Sequence, residues 1–332
     1  MSPRGFSDKT RAWLASVLLA ALLLAPAGAQ AADKVRLQLQ WVHQAQFAGF
    51  YLAQDLGLYG KAGLEVEIKP GGPGLDPLIE LAAGRCDFAL SWLSEALQRR
   101  GKGVPLLNLA QLVQRSSLLL VTFADSSIKN IKDLQGKRVG LWSRQFALAP
   151  RALFHREGVR VQEVPQNVTM APFLMRAVDA ASAMLYNEYH QLYQAGVDLN
   201  QIRVFDFVEL GLNFPEDGLY ALNQTWAQRP EICRRFVAAS LEGWHQAFAQ
   251  PEKALAAVMK RVDASHLASN QAHQRWMLNT MQKLITNRVG LVLMGQLSSF
   301  DLKMVNQVLV QQGFLPAPVP LEEFAVPAWK AP

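Results

Sequence analysis

The amino-acid sequence predicts an α/β protein of two lobes, each a mainly parallel sheet flanked by helices, with a helical C-terminal return. Three observations carry this. Strand and helix signals alternate from Leu37 to Val113, a second round of alternation begins at Asp125, and from Gln224 onward the apolar spacing is helical only. The boundaries expected are a leader over 1–32, a first lobe from 33–123 and 219–332, and a second lobe over 124–218.

In the first lobe, Leu37, Leu39 and Trp41 alternate with polar residues as a half-buried strand does. Phe47, Phe50, Tyr51, Leu52, Leu56, Leu58 and Tyr59 form the apolar stripe of a short helix, which Gly63 stops before Leu64, Val66 and Ile68 alternate as a second strand. A strand, a crossover helix and a strand make a parallel pair, whose ligands sit at the strands' carboxyl ends. The cluster Gly71, Gly72, Pro73, Gly74 reads as a loop, and Asp76 as an N-cap with Pro77 at the first helical position. Asp87 to Trp92 and Val104 to Val113 are strand candidates, and Leu118 to Phe123 is apolar enough for a buried strand leaving this lobe.

In the second lobe, strands are expected at 138–141, 159–164, 180–185 and 202–208, with helices between them. The segment GLNFPEDG reads as a connection back, and Leu219 to Leu222 as a returning strand. Two such lobes describe a clam-shell that closes on a ligand by a hinge, here near 123–125 and 208–218.

The 332 residues, half of them hydrophobic, suffice for a large core in two domains. Arg4, Lys9 and Arg11 precede an apolar run from Ala12 to Leu24 and the small residues APAGAQAA, the pattern of a cleaved secretory signal peptide. A permanent anchor is the alternative, but the run is short against the roughly 18 residues that a bilayer span needs. The net charge of +6 falls to +4 without the leader, too mild to argue for nucleic acid. Cys86 and Cys233 lie far apart and away from zinc-ligand spacing, which leaves a disulfide or two buried thiols. No metal or cofactor is expected, and the sequence has no GxSxG, HExxH or CxxC.

Candidate ligand contacts are Trp41, Tyr51, Trp92, Trp142 and Tyr186, aromatic residues at or just after strand ends that can stack on a flat heterocycle or simply fill the core. Ser91 belongs with them, at the end of its strand. In LYNEYHQ, Asn187 and Glu188 follow an apolar strand directly. There a carboxylate can accept from an exocyclic amine and an amide can both donate and accept, or Asn187 can cap the following helix. His43 and Gln46, with Gln44, form a possible hydrogen-bonding rim, Phe47 crowds beside them at the same strand end as a further candidate contact, and Asp217 could close the cleft across the hinge. His155, His190, His245, His266 and His273 read as surface residues on helices.

QWVHQAQFAGFYLAQDLGLYGKAGLEVEI, GRCDFALSW, GKRVGLWS, SAMLYNEYHQLYQAGV, EDGLYAL and RRFVAASLEGWHQAF together resemble the thiamine-pyrimidine-precursor family of periplasmic binding proteins, which also includes the fungal pyrimidine synthase. The resemblance runs from about Val35 to Glu252. It implies a type II binding-protein fold, a periplasmic monomer that feeds an ABC-importer permease, and a substituted aminopyrimidine as ligand. It implies ring contacts from Trp41, Tyr186, Asn187 and Glu188. The family commonly reads W-x-P-N-x-x-H-x-G, whereas this chain has Phe47 at the His position, and Gly211 to Pro215 stand where the synthase carries a cysteine cluster. The synthase thus loses its chemical residues here. A synthase-like enzyme, a ligand-presenting sensor partner and a binder of another heterocycle, such as a flavin, are the alternatives.

Overall fold

A computed structural model describes residues 31–286, 294–326 and 328, except for the side chains of residues 144 and 145. The expected leader falls, but for its last two residues, outside the described residues. Along the chain come β1 (Asp33–Gln38), α1 (Ala48–Asp55), α2 (Leu58–Lys61), β2 (Leu64–Lys69), α3 (Pro77–Ala82), β3 (Phe88–Ser91), α4 (Leu93–Gly101) and β4 (Leu106–Val113). Then follow β5 (Leu118–Phe123), β6 (Arg138–Leu141), α5 (Leu148–Glu157), β7 (Gln162–Pro165), α6 (Ala171–Leu174), β8 (Ala180–Met184), α7 (Glu188–Gln194) and β9 (Ile202–Asp206). The return is β10 (Glu216–Leu222), α8 (Asn223–Gln228), α9 (Pro230–Ala249), α10 (Pro251–Ala264), α11 (Gln271–Thr286), α12 (Ser299–Gln311) and α13 (Leu321–Phe324).

These strands make two five-stranded sheets, ordered β2-β1-β3-β10-β4 and β7-β6-β8-β5-β9. In each sheet one strand, β10 or β5, runs against the other four. The fold is therefore the expected two-lobed α/β architecture. One strand sits elsewhere than expected: β5, read as the last of the first lobe, pairs with β8 and β9 in the second sheet. A buried apolar run does not encode which sheet it joins. The crossovers accordingly lie at 114–117 and 207–215, and Glu216 to Gly218, expected in the second lobe, open a strand of the first sheet.

The second sheet follows the two-residue period of a strand. Leu118 and Leu120 face one apolar cluster and Leu119 and Val121 the other. In the first lobe the expected single helix after Trp41 is broken at Gly57, which adopts left-handed φ, so α1 and α2 are separate. Asp76 caps α3 by accepting from the Leu78 and Ile79 amides at 3.0 and 3.2 Å, as its sequence position implies. α1 crosses α9 at two glycines. A Cβ on Gly49 would overlap the Trp244 indole, and one on Gly243 would overlap the Gly49 carbonyl. Cys86 and Cys233 are free, buried thiols. No described helix is long and apolar enough to cross a membrane.

Candidate functional site

The site lies where the carboxyl ends of β1, β6 and β8 face each other across the two lobes. After β1, the Gly71 amide donates to the Trp41 carbonyl at 2.9 Å, and a Cβ on Gly71 would come within 2.7 Å of the Trp41 amide nitrogen. The close approach of this loop fixes Trp41 above the strand end. From the other lobe, β6 leads into Trp142 and Phe146, and β8 into Met184, Tyr186, Asn187 and Glu188. With Gln40, Gln44 and Gln46 these residues line a narrow cavity that is partly open to solvent.

Its apolar wall is organised by Phe146. The ring stands edge-on to Trp41 (5.9 Å between centroids, 85°), to Trp92 (5.1 Å, 90°) and to Trp142 (6.2 Å, 69°). The Trp142 indole N–H donates to the Asn167 carbonyl at 3.0 Å, which sets its plane. Indole faces so held offer stacking surfaces to a flat ring.

The polar wall is acidic and buried. Glu188 accepts from the Met184 amide at 3.0 Å and from Asn187 Nδ2 at 2.7 Å, yet burial pushes its carboxyl up to about 7. Asn187 begins α7 without a side-chain cap, because its amide is committed to Glu188, Gln191 and His273. Burial also holds the Tyr186 hydroxyl far above its ordinary range, and the carboxyls of Glu216, Asp217 and Glu188 push the same way. Gln40 is buried, and its Oε1 has no partner among the described residues.

Behind this wall lie two more buried acids. Asp217 adopts a left-handed φ of 51° and accepts from Gln46 Nε2 at 3.0 Å on both oxygens and from Gln40 Nε2. Burial first, then the neighbouring Glu216 charge, push it up to about 8 against the pull of Gln46. Glu216, raised by burial to about 7, takes the Ser116 hydroxyl, the Ser117 amide and the Ser117 hydroxyl at 2.7–2.8 Å, all from the other crossover.

Six of the twelve anticipated residues thus line one cavity: Trp41, Gln46, Trp142, Tyr186, Asn187 and Glu188. The other six stand off it. Asp217 is behind the wall, where it orients Gln40 and Gln46 rather than closing the cleft itself. Trp92 is fully buried beneath Phe146, and Ser91 is buried in β3 opposite Gly218. Phe47 is buried edge-on to Tyr51 at 6.5 Å. His43 turns away from the cavity to bond Tyr51 Oη through Nδ1 at 2.8 Å, beneath the Arg261 guanidinium that covers the Tyr51 ring at 4.6 Å. Gln40, Gln44, Phe146 and Met184 line the cavity without having been singled out as ring contacts. Gln40 was hidden because the strand was expected to run through it to Trp41. Two histidines read as surface residues, His190 and His273, are buried.

The chain was compared with known proteins. The family model described as "NMT1/THI5 like" matches residues 44–254, more than half of the chain. The chain belongs to the NMT1/THI5-like family. This NMT1/THI5-like protein is 27% identical over 241 residues to the riboflavin-binding protein RibY of Chloroflexus aurantiacus, covering 69% of this chain and 67% of that one. It is 25% identical over 290 residues to a formylaminopyrimidine-binding protein of Halalkalibacterium halodurans, covering 83% and 86%. It is also 22% identical over 229 residues to a 4-amino-5-hydroxymethyl-2-methylpyrimidine phosphate synthase of Legionella pneumophila, covering 67% and 72%. Among solved structures, the periplasmic aliphatic sulphonate binding protein SsuA of Escherichia coli superposes with a TM-score of 0.68 at 15% identity, covering 88% of this chain and 91% of that one. That likeness concerns the fold: this NMT1/THI5-like chain has the architecture of a periplasmic binding protein.

Proposed function

We propose that the chain is the periplasmic solute-binding component of an ABC importer and that its cleft takes a thiamine-related aminopyrimidine precursor. One observation carries the reading: Glu188, a buried acid poised near neutral pH, faces a cavity walled by Trp41, Trp142 and Phe146. An aminopyrimidine presents an exocyclic N–H donor beside a ring nitrogen. As a carboxylic acid, Glu188 accepts from the amine and donates to the ring nitrogen; as a carboxylate, it pairs with the protonated ring. The unpartnered Gln40 Oε1 supplies a further acceptor. Capture in the open cleft, closure about the two crossovers and delivery of the closed form to a permease complete the mechanism.

A role without catalysis is supported by Phe47, which replaces the histidine common in the family and is packed away from the cavity. The hinge segment Leu212, Asn213 and Phe214 is buried, and Asn213 accepts from the Ser116 amide at 2.8 Å. A second reading, a flavin, is favoured by a neighbouring cavity that shares Trp41, Trp142 and Phe146 and extends to Gly72, Pro73, Gly74, Leu75 and Asn167. The printed name of the Chloroflexus relative points the same way.

Titration calorimetry with 4-amino-5-hydroxymethyl-2-methylpyrimidine, riboflavin and an alkanesulfonate tests both. Binding of the pyrimidine is expected. At a Kd of 1 μM it corresponds to about 8 kcal/mol, and at 100 times Kd it adds about 2.7 kcal/mol to stability. Heat from the alkanesulfonate alone would overturn the aromatic-cleft reading.

A further inference from the structure

The lobes also meet beside the cavity, through side chains that line no part of it. α7 follows β8 of the second sheet and carries His190; α11 packs against β4 of the first sheet and carries His273 and Trp276. His190 Nδ1 lies 2.8 Å from His273 Nδ1, and His273 Nε2 lies 2.8 Å from Asn187 Oδ1. Asn187 Nδ2 then donates to Glu188 Oε1 at 2.7 Å. The His190 ring is stacked on Trp276 (4.6 Å, 10°) and on His273 (5.1 Å, 17°), and the Trp276 indole N–H donates to the Leu185 carbonyl at 3.1 Å.

The direction of every bond follows from the carboxyl end. Asn187 gives its N–H to Glu188 and so offers a carbonyl oxygen, which requires a donor from His273 Nε2. A neutral His273 then has a lone pair at Nδ1, and His190 must donate from its own Nδ1.

We propose that His190 and His273 form a latch between the lobes that positions Asn187 and Glu188 for ligand, and that it holds until both rings are charged. The inference rests on the binding reading in one respect: the lobes must open to admit a solute. With one added proton on the pair, either ring can still accept from the other at Nδ1; once both rings are charged, two donors stand face to face. Burial, and then the charge of His190, lower His273 to about 4 in the closed form, while an imidazole exposed by opening titrates near 6.5. A histidine depressed in the closed state contributes fully above the open-state value, and that contribution is lost as pH falls toward the closed-state value. The latch's share of the closed-to-open ratio therefore falls as pH drops from 6.5 toward 4, and His190, lowered by burial as well, acts in the same sense.

The groups facing the pair are few. From α7 come Glu188, through Asn187, and Tyr193, whose ring lies 6.1 Å from His190. From α11 comes Arg275, paired with Glu252 of α10 at 2.8 Å. Asn270, ahead of α11, accepts from the His273 amide at 2.9 Å. Glu188 titrates in the opposite sense, because an acid raised by burial favours closure as pH falls. The latch is thus read from a difference between wild type and variant.

His190→Phe keeps a ring on Trp276 and removes the donor; His273→Gln keeps donor and acceptor atoms but cannot take a proton. Small-angle scattering of the ligand-free proteins from pH 4 to 8, with melting curves to verify folding, reads the closed fraction. Wild type should exceed His190→Phe in closed fraction above pH 6.5, with the gap vanishing toward pH 4, and His273→Gln should hold part of that gap at all pH values. A gap that is absent, or constant with pH, overturns the latch; if His190→Phe does not fold, the slope difference between wild type and His273→Gln decides in the same way. Calorimetry of the same proteins with 4-amino-5-hydroxymethyl-2-methylpyrimidine separates the two readings. Scattering differences without heat leave the latch and remove the ligand, and heat without scattering differences does the reverse.

Discussion

Glu188 accepts two hydrogen bonds, which ordinarily lower a carboxyl's pKa, and is nevertheless raised, so desolvation outweighs them. Glu188→Gln keeps the shape and removes the acid. It should weaken an aminopyrimidine by about 1.5–3 kcal/mol in calorimetry, and unchanged affinity would reduce Glu188 to a structural partner of Met184. Asp217 makes a pH prediction. Its pKa is raised on folding, so its stabilisation is complete below the unfolded value of about 4 and is lost as pH rises through about 8. The ligand-free protein should melt lower at pH 8.5 than at pH 5.5, and Asp217→Asn, which tolerates the left-handed backbone, should flatten that slope. At this scale the sequence was legible where a side chain follows a strand directly, as Trp41, Tyr186 and Glu188 do. It was misleading for His43 and Tyr51, which satisfy each other, and for His190 and His273, read as surface residues although the opposite lobe buries them.

Among the elements, strand and helix types were readable from period and caps, and β6 and the Asp76 cap lie where the residues imply. Pairing partners were not readable. β5 is buried on both faces, so its apolar run would suit either sheet, and the hydrogen bonds to β8 and β9 decide. The α1–α9 crossing depends on Gly49 and Gly243, which sequence alone shows only as glycines within helices. Gly49→Ala must push the Trp244 indole aside and should cost about 1–3 kcal/mol in a denaturant titration, without altering the pH dependence ascribed to Asp217. Phe146 escaped notice because it lies in the short turn between β6 and α5. Phe146→Ala removes the half-buried ring on which Trp41, Trp92 and Trp142 converge and should destabilise the protein by less than the roughly 3–5 kcal/mol of a fully buried ring, read by melting in the absence of ligand.

For the whole molecule, the two-lobed plan was legible because the alternation restarts at Asp125 and stops at Gln224. The hinge was displaced by several residues because the reversed strands β5 and β10 each belong to the sheet beyond the crossover. Glu216, the first residue of β10 after one crossover, is clasped by Ser116 and Ser117 of the other and so holds the two crossovers together; a solute should reduce the radius of gyration without changing the helix content seen by circular dichroism. The topology has one more consequence. All strands of the second sheet come from a single unbroken stretch, and its first and last strands are hydrogen-bonded neighbours, with Leu119 opposite Asp206. The second lobe is therefore a cassette spliced into the first with its two ends side by side. A short linker could replace it, or join its own ends in a permuted chain, without stretching the backbone.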